Sequence, residues 1–202
     1  KTGIKDTYKV VTKSGYELVA TEDHKVLTEN GWKEVRELTE EDSVFLQSGQ
    51  GCFNNNSKFP FEIENMVIGN NGRTYNTNLP KEWDKKLGLV LGWLTGDGWL
   101  SEKYNSMGFV FAPEDNEVKD IIKPVLENYF NRKIEEMQYD NGCVQLRSAS
   151  KYVIDFFKKL GVRENKGVPF SLFTATEDAV IGFLQGLFAA DGTIGLGNKS
   201  RN

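Results

Sequence analysis

The chain has 202 residues, 39% hydrophobic and 27% charged, with a formal net charge of −4. This is the balance of a globular protein with room for one or two cores. It excludes a disordered chain, and no apolar run approaches the roughly 20 residues of a membrane span. Cys52 and Cys143 supply neither a disulfide framework nor a metal-ligand spacing, and Lys1 to Lys9 lack a signal-peptide core, so an intracellular, reducing compartment and no membrane are expected. The acidic balance does not announce nucleic-acid binding, which would have to rest on local groups of Lys and Arg.

Residues 1–50 read as a β-rich module. Tyr8–Thr12 and Tyr16–Ala20 flank Lys13-Ser14-Gly15, a hairpin signal with glycine where a positive φ is needed. Lys25–Thr28, Asn30-Gly31 and Trp32–Val35 repeat the pattern, and Asp42–Leu46 offers a further strand. Residues 51–80 are rich in turn-forming Gly and Asn, with a short extended piece at Phe59–Ile63, and read as a connector. Pro80 marks the approach to the next helix.

Residues 81–202 alternate helices and hairpins. After a helix ending at Asp97, Trp99–Lys103 and Met107–Ala112 read as strands with Met107, Phe109 and Phe111 on one face. A helix follows over about Glu114–Phe130, with Val118, Ile121, Ile122, Val125, Leu126 and Tyr129 on its buried stripe and a kink at Pro124. Lys133–Tyr139 and Cys143–Ser148 form a hairpin across Asp140-Asn141-Gly142. Ser150 caps a third helix, buried through Val153, Phe156, Phe157 and Leu160 and closed by Gly161.

One stretch appears twice. Leu87–Leu100 reads LGLVLGWLTGDGWL and Ile181–Ile194 reads IGFLQGLFAADGTI. Gly88, Gly92 and Gly96 lie four apart, one row along a helix, and Gly182, Gly186 and Ala190 repeat that row. Leu87, Leu91 and Leu94, with Val180, Leu184 and Leu187, make both helices mostly buried. Each helix glycine is unfavourable by roughly 1 kcal/mol relative to alanine, so matching bare rows predict two helices in unusually close contact. Side by side, they bring Asp97 and Asp191 together at one end. Like charges beside two negative dipole ends repel, and a divalent cation resolves the conflict. Oxygen-only donors suit Mg²⁺, and carboxylates holding metal beside a phosphate suit phosphodiester hydrolysis. A pair of core helices with acidic ends is the alternative without chemistry.

Val90–Gly98 and Leu184–Gly192 resemble the two dodecapeptide motifs of LAGLIDADG homing endonucleases. The resemblance implies an αββαββα half followed by the first helix of a second half, related by a pseudo-twofold axis within one monomer. It also implies a four-stranded saddle over double-stranded DNA, with Lys103, Gln145 and Arg147 as candidate DNA-facing residues. Leu160–Pro169 resembles the intein endonuclease block whose lysine approaches the active site, which implies that role for Lys166. The run Gly15–Thr28, followed by Gly31-Trp32, is similar to the intein block with a Thr-x-x-His motif. It implies a partial all-β Hint domain in which Thr21 bonds the scissile peptide and His24 donates a proton at the upstream splice junction, a task suited to imidazole.

The expected architecture is therefore α+β: a Hint module over 1–50, a connector over 51–80 and an endonuclease domain over 81–202. The expected function is that of a bifunctional intein, self-excising from its host exteins and cleaving DNA with Mg²⁺. A splicing element with an inactive endonuclease and a maturase-like, non-cleaving nucleic-acid binder are the rivals. The chain begins Lys1-Thr2-Gly3 and ends Lys199-Ser200-Arg201-Asn202, without the nucleophiles of splice junctions, so both ends are expected to be truncated and neither reaction to be complete in this chain.

Overall fold

The computed structural model describes residues 5–46 and 53–192. Cys52, the first residues (Lys1–Gly3), Thr193 and Ile194 of the second repeat, and the terminal Asn202 lie outside the described residues. Among the described residues the structure is mixed α+β, with small sheets and four α-helices. It divides into two units, Lys1–Gly51 and Cys52–Asn202.

The first unit contains two antiparallel hairpins, β1 (Thr7–Val11) with β2 (Glu17–Thr21) and β3 (Lys25–Thr28) with β4 (Gly31–Glu34), then a single 3-10 turn at Val35–Glu37. Gly15 and Gly31 close the two hairpins at φ of +85° and +97°, a backbone region open to glycine at no steric cost. The further strand expected at Asp42–Leu46 is a single bridge, Thr28 to Val44. Asp42 explains the difference: its carboxylate accepts from the Thr39 N–H (2.8 Å) and hydroxyl (3.1 Å) and pairs with Lys33, which holds the chain in a turn. Burial is sparse in this unit. Ala20, Thr28 and Val35 are its buried residues among those described, while Val11, Tyr16, Val19 and Trp32 are more than half exposed.

In the second unit, α1 (Lys85–Asp97) starts at Asp84, whose side chain accepts the Leu87 N–H at 2.7 Å. Four strands follow in two hairpins: β7 (Gly98–Ser101) with β8 (Ser106–Phe111), and β9 (Glu136–Gln138) with β10 (Val144–Ala149). Between them lies α2 (Asn116–Phe130), and α3 (Lys151–Lys159) comes after, capped by Ser150 as expected. The strands form one antiparallel sheet in the order β7-β8-β10-β9. Alternation sends Leu100, Met107, Phe109, Phe111, Val144 and Leu146 into the core, where Ile122, Leu126, Val153 and Phe157 meet them. Burying a side chain of this size contributes about 1.5–3 kcal/mol.

Three expectations need correction. Residues 53–80 belong to the second unit and do more than connect: β5 (Met66–Ile68) and β6 (Thr74–Asn76) form a hairpin, and Phe59 joins the core, stacked on Phe61 at 5.2 Å. Ile121 is 54% exposed, because the inward line of α2 runs through Lys119, Ile122, Leu126 and Phe130. Lys119 holds its place there by pairing with Glu136, which Lys123 also reaches. The last helix, α4 (Glu177–Asp191), is buried on one side only: Ala179, Gly182, Phe183 and Gly186 face inward, while Ile181, Leu184 and Phe188 are exposed.

The helices α1 and α4 meet along their glycine rows. A Cβ on Gly88 would lie 2.1 Å from the Ala179 carbonyl oxygen, and one on Gly92 2.1 Å from that of Phe183. Reciprocally, Gly182 and Gly186 face the carbonyl oxygens of Lys85 and Leu89 at 2.2 and 2.3 Å. Gly96, further along, faces Ala190. Residue numbers rise together along the two helices, so they run parallel and end together. Gly92→Ala and Gly186→Ala should each lower the unfolding free energy in urea by about 1–3 kcal/mol, because overpacking against backbone outweighs the helix-propensity gain of about 1 kcal/mol. Gly167→Ala, which meets open space, is the control and should change little.

Candidate functional site

The parallel pairing decides where the acids lie. Asp97 is the last residue of α1 and Asp191 the last of α4. The Asp191 carboxylate sits 3.2 Å from where a Gly96 Cβ would be, beside the residue preceding Asp97. Each helix then turns sharply into extended backbone at a glycine. Gly98 and Gly192 have negative φ, so the glycine is required by crowding rather than by handedness: a Cβ would strike Leu94 at 2.6 Å in one copy and the Phe188 carbonyl at 2.1 Å in the other.

The Asp97 carboxyl is held above the ordinary carboxylate range. Partial burial is the main cause, and repulsion from Asp191 and then from Asp115 adds to it, against an opposing pull from Lys166. Lys166 donates to the Gly96 carbonyl from a loop fixed at several points. Gly161, at φ +93°, turns the chain out of α3. Val162 is buried, and Glu164 accepts the Glu102 N–H at 2.7 Å while Glu102 pairs with Lys158 at 2.6 Å. The loop is thereby tied to the end of β7, and Lys166 follows two residues later.

These residues therefore converge: two carboxylates, a backbone carbonyl and an ammonium at the shared end of α1 and α4. The donor set is all oxygen and fits a hard divalent cation that keeps water or phosphate oxygens as its remaining ligands. No group of three or more His, Cys, Asp or Glu side chains fit to hold a metal occurs among the described residues, so such a cation would need those outside ligands. Asp115 was not singled out from sequence. Its approach depends on the 3-10 turn Pro113–Asp115, where its carboxylate accepts the Ala112 N–H at 2.9 Å.

The candidate DNA-facing residues occupy the sheet face opposite the core or its rim. Gln145 and Arg147 alternate outward from β10, with Gln145 accepting from the Tyr139 hydroxyl at 3.2 Å. Arg147 is exposed, its guanidinium 5.4 Å from the Trp99 ring. Lys103 lies in the β7–β8 turn over the Tyr104 ring at 5.1 Å. A groove of about 870 Å³ lies elsewhere, between Glu62–Val67 and α3, where Glu62, Glu64 and Asp155 face Lys158, Lys159 and Arg163.

Thr21 and His24 belong to the first unit and share a tight turn, in which the His24 N–H donates to the Thr21 carbonyl at 3.0 Å. The Val35 N–H donates in turn to the His24 carbonyl at 2.8 Å. The Thr21 side chain and Lys5 beside Asp23 bring that carboxyl down to about 2. His24 itself is exposed.

No family model matches the chain. It is 26% identical over 185 residues to the DNA-directed RNA polymerase subunit Rpo1N of Methanocaldococcus jannaschii, which covers 83% of this chain and 13% of that protein. It is 27% identical over 217 residues to the tRNA-splicing ligase RtcB of Methanopyrus kandleri, covering 92% of this chain and 22% of the ligase. The chain thus spans less than a quarter of either relative. Among solved structures, variants of the homing endonuclease I-DmoI align with a TM-score of 0.36 at 15% identity, over 54% of this chain and 58% of theirs. No helix among the described residues is long and apolar enough to cross a membrane.

The raised Asp97 carboxyl has a definite effect on stability. The folded state holds this proton more tightly than the unfolded state, so stability is lost as pH rises from the ordinary carboxylate value through the folded one, and the cost is complete above it. Asp97→Asn should therefore raise the melting temperature at pH 7 in metal-free buffer and lose that advantage near pH 3. Millimolar Mg²⁺ should stabilise the wild type and not the variant, as thermal melts would show.

Proposed function

We propose that the second unit is the catalytic part of a LAGLIDADG-type homing endonuclease and that the first is part of a Hint splicing domain, the two forming a bifunctional intein. The observation that carries the nuclease reading is the convergence of Asp97, Asp191 and Lys166 at the shared end of two parallel helices. In this reading Asp97 and Asp191 hold Mg²⁺ and position it against the scissile phosphate of double-stranded DNA. A bound cation supplies Lewis acidity toward the phosphate and lowers the pKa of a coordinated water. Lys166 holds a positive charge at the same point, where it offsets charge developing on the phosphate oxygens. The open sheet face, with Gln145 and Arg147 on it and Lys103 at its rim, supplies contacts to the duplex. A second half, related to the first by the pseudo-twofold axis of the helix pair, would place the other strand.

The splicing reading is supported by the Thr21–His24 turn, which brings a half-buried hydroxyl-bearing residue at the end of β2 and an exposed imidazole close in the chain. It is also supported by where similar sequence occurs. A polymerase subunit and a tRNA-splicing ligase are different enzymes, yet both carry a stretch similar to most of this chain. An element that inserts into unrelated hosts and removes itself from their products fits that distribution. Polymerisation and ligation are not carried over, since the similarity touches a minor part of each relative.

The test uses the gene product in its full reading frame, flanking coding sequence included, with duplex DNA that joins those flanks directly. Mg²⁺-dependent double-strand cleavage is expected. Asp97→Asn and Asp191→Asn should each lower it at least about 100-fold while duplex binding persists, and Lys166→Ala should lower it about 10- to 100-fold. Wild-type cleavage that survives both aspartate substitutions would refute the assignment. In the same frame, His24→Ala should let unspliced precursor accumulate, read as band size on a denaturing gel, while processing that proceeds unchanged would remove the role given to His24.

A further inference from the structure

The open face of the sheet carries an arrangement that the doubled motif does not account for. In register, Trp99 on β7 lies beside Gly108 on β8, and Gly108 beside Arg147 on β10. The central member has no side chain. A Cβ there would lie 2.5 Å from Cε2 and Nε1 of Trp99, so the indole occupies the space above β8. The Arg147 guanidinium, from the next strand, comes over the same ring at 5.4 Å. Glycine inside a strand weakens it and marks a close approach, and the approach here is the indole's.

Arg147 differs from Arg132 and Arg163 in its bonding, and from Arg73 in lying over an aromatic ring. Arg132 spends its N–H groups on Ser148 and Ala149, and Arg163 spends its own on the carbonyls of Lys158 and Val162. Arg147 has no hydrogen-bond or ion-pair partner among the described residues, yet the ring fixes its position. Its fork of five donors is thus ordered and unspent, which suits the oxygens of a phosphodiester. The location adds to this. Trp99 follows Asp97 by two residues and also lines a small cleft with Thr95, Lys166 and Gly167.

We propose that Arg147 binds a backbone phosphate of the nucleic acid close to the acid pair, and that Trp99, seated on Gly108, is the positioning residue that holds its guanidinium for that contact. This rests on the nucleic-acid reading given above and adds to it a positioning residue, Trp99, and a mode of contact for Arg147. Stacking on the indole restricts the guanidinium before the ligand arrives, so less rotamer freedom is lost on binding.

The test is equilibrium binding of the chain to a mixed-sequence duplex of about 30 base pairs with Mg²⁺ present, over a range of salt. Arg147→Ala should weaken binding roughly 3- to 10-fold and reduce the magnitude of the slope of log K against log salt by about 0.9. Trp99→Leu should give most of the same loss, and Trp99→Phe should restore it. The double variant should bind no more weakly than Arg147→Ala alone. Gly108→Ala reaches the same end by displacing the indole, and thermal melts confirm that each variant is folded. Losses that add in the double variant, or an unchanged salt slope in Arg147→Ala, would overturn the proposal even if Trp99→Leu does not fold. A wild-type chain that fails to bind duplex overturns both this proposal and the nuclease reading. Wild-type binding with additive losses overturns this one alone.

Discussion

Close contact between two helix backbones is the constraint on which the second unit depends. Four glycines on α1 and α4 face carbonyl oxygens of the opposite helix at distances no Cβ could occupy. Ordinary helix pairs stand about 8–10 Å apart because side chains keep them there, and here that spacer is missing. The contact also runs parallel, which is electrostatically unfavourable because both negative dipole ends fall together. Two carboxylates at that end add to the conflict, and repulsion from Asp191 reinforces the partial burial that raises the Asp97 carboxyl. Packing thus supports an arrangement that charge alone would separate.

The opposite side of α1 connects this contact to the sheet. Trp93 is fully buried, stacks on Phe111 at 4.9 Å and donates its ring N–H to the Val110 carbonyl at 2.9 Å. A buried indole with its polar atom satisfied fixes the helix over β8 in both depth and rotation. From there the chain passes from Asp97 through Gly98 to Trp99 with no intervening loop, so the acid and the open sheet face are set by one rigid connection. The loop carrying Lys166 is tied to the same strand through Glu164 and Glu102. Acid pair, lysine and sheet face therefore share a single mechanical reference.

Much of this was legible in the residues, and the reason lies in periodicity. Glycines four apart in two copies can be explained only by helices in close approach, and alternation assigned Met107, Phe109 and Phe111 to the core. What escaped depends on contacts remote in sequence. Phe59 enters the core from a stretch whose asparagines and glycines suggested only turns. Ile121 stands beside Ile122 in sequence but roughly 100° away around the helix, and the position inside went to Lys119 because Glu136 was there to pair with it. The approach of Asp115 to the acids follows from a turn closed by its own carboxylate. The Trp99–Gly108 seat did leave a trace, a glycine within an apolar strand, but the identity of what lies upon it required the register.

The glycine rows also restrict how this sequence can drift. Any single-nucleotide change in a glycine codon that alters the residue introduces a side-chain carbon, and at Gly88, Gly92, Gly182 or Gly186 that carbon meets main chain, which has no rotamer with which to yield. No gradual route leads away from such an interface, because enlarging one helix cannot be matched by trimming the other once it is already bare. Ala190 stands where the partner, Gly96, lies last along its row, so a methyl group is accommodated there. Lineages descending from this chain are therefore confined to change at the outward positions of the two helices, or to abandon the pairing altogether.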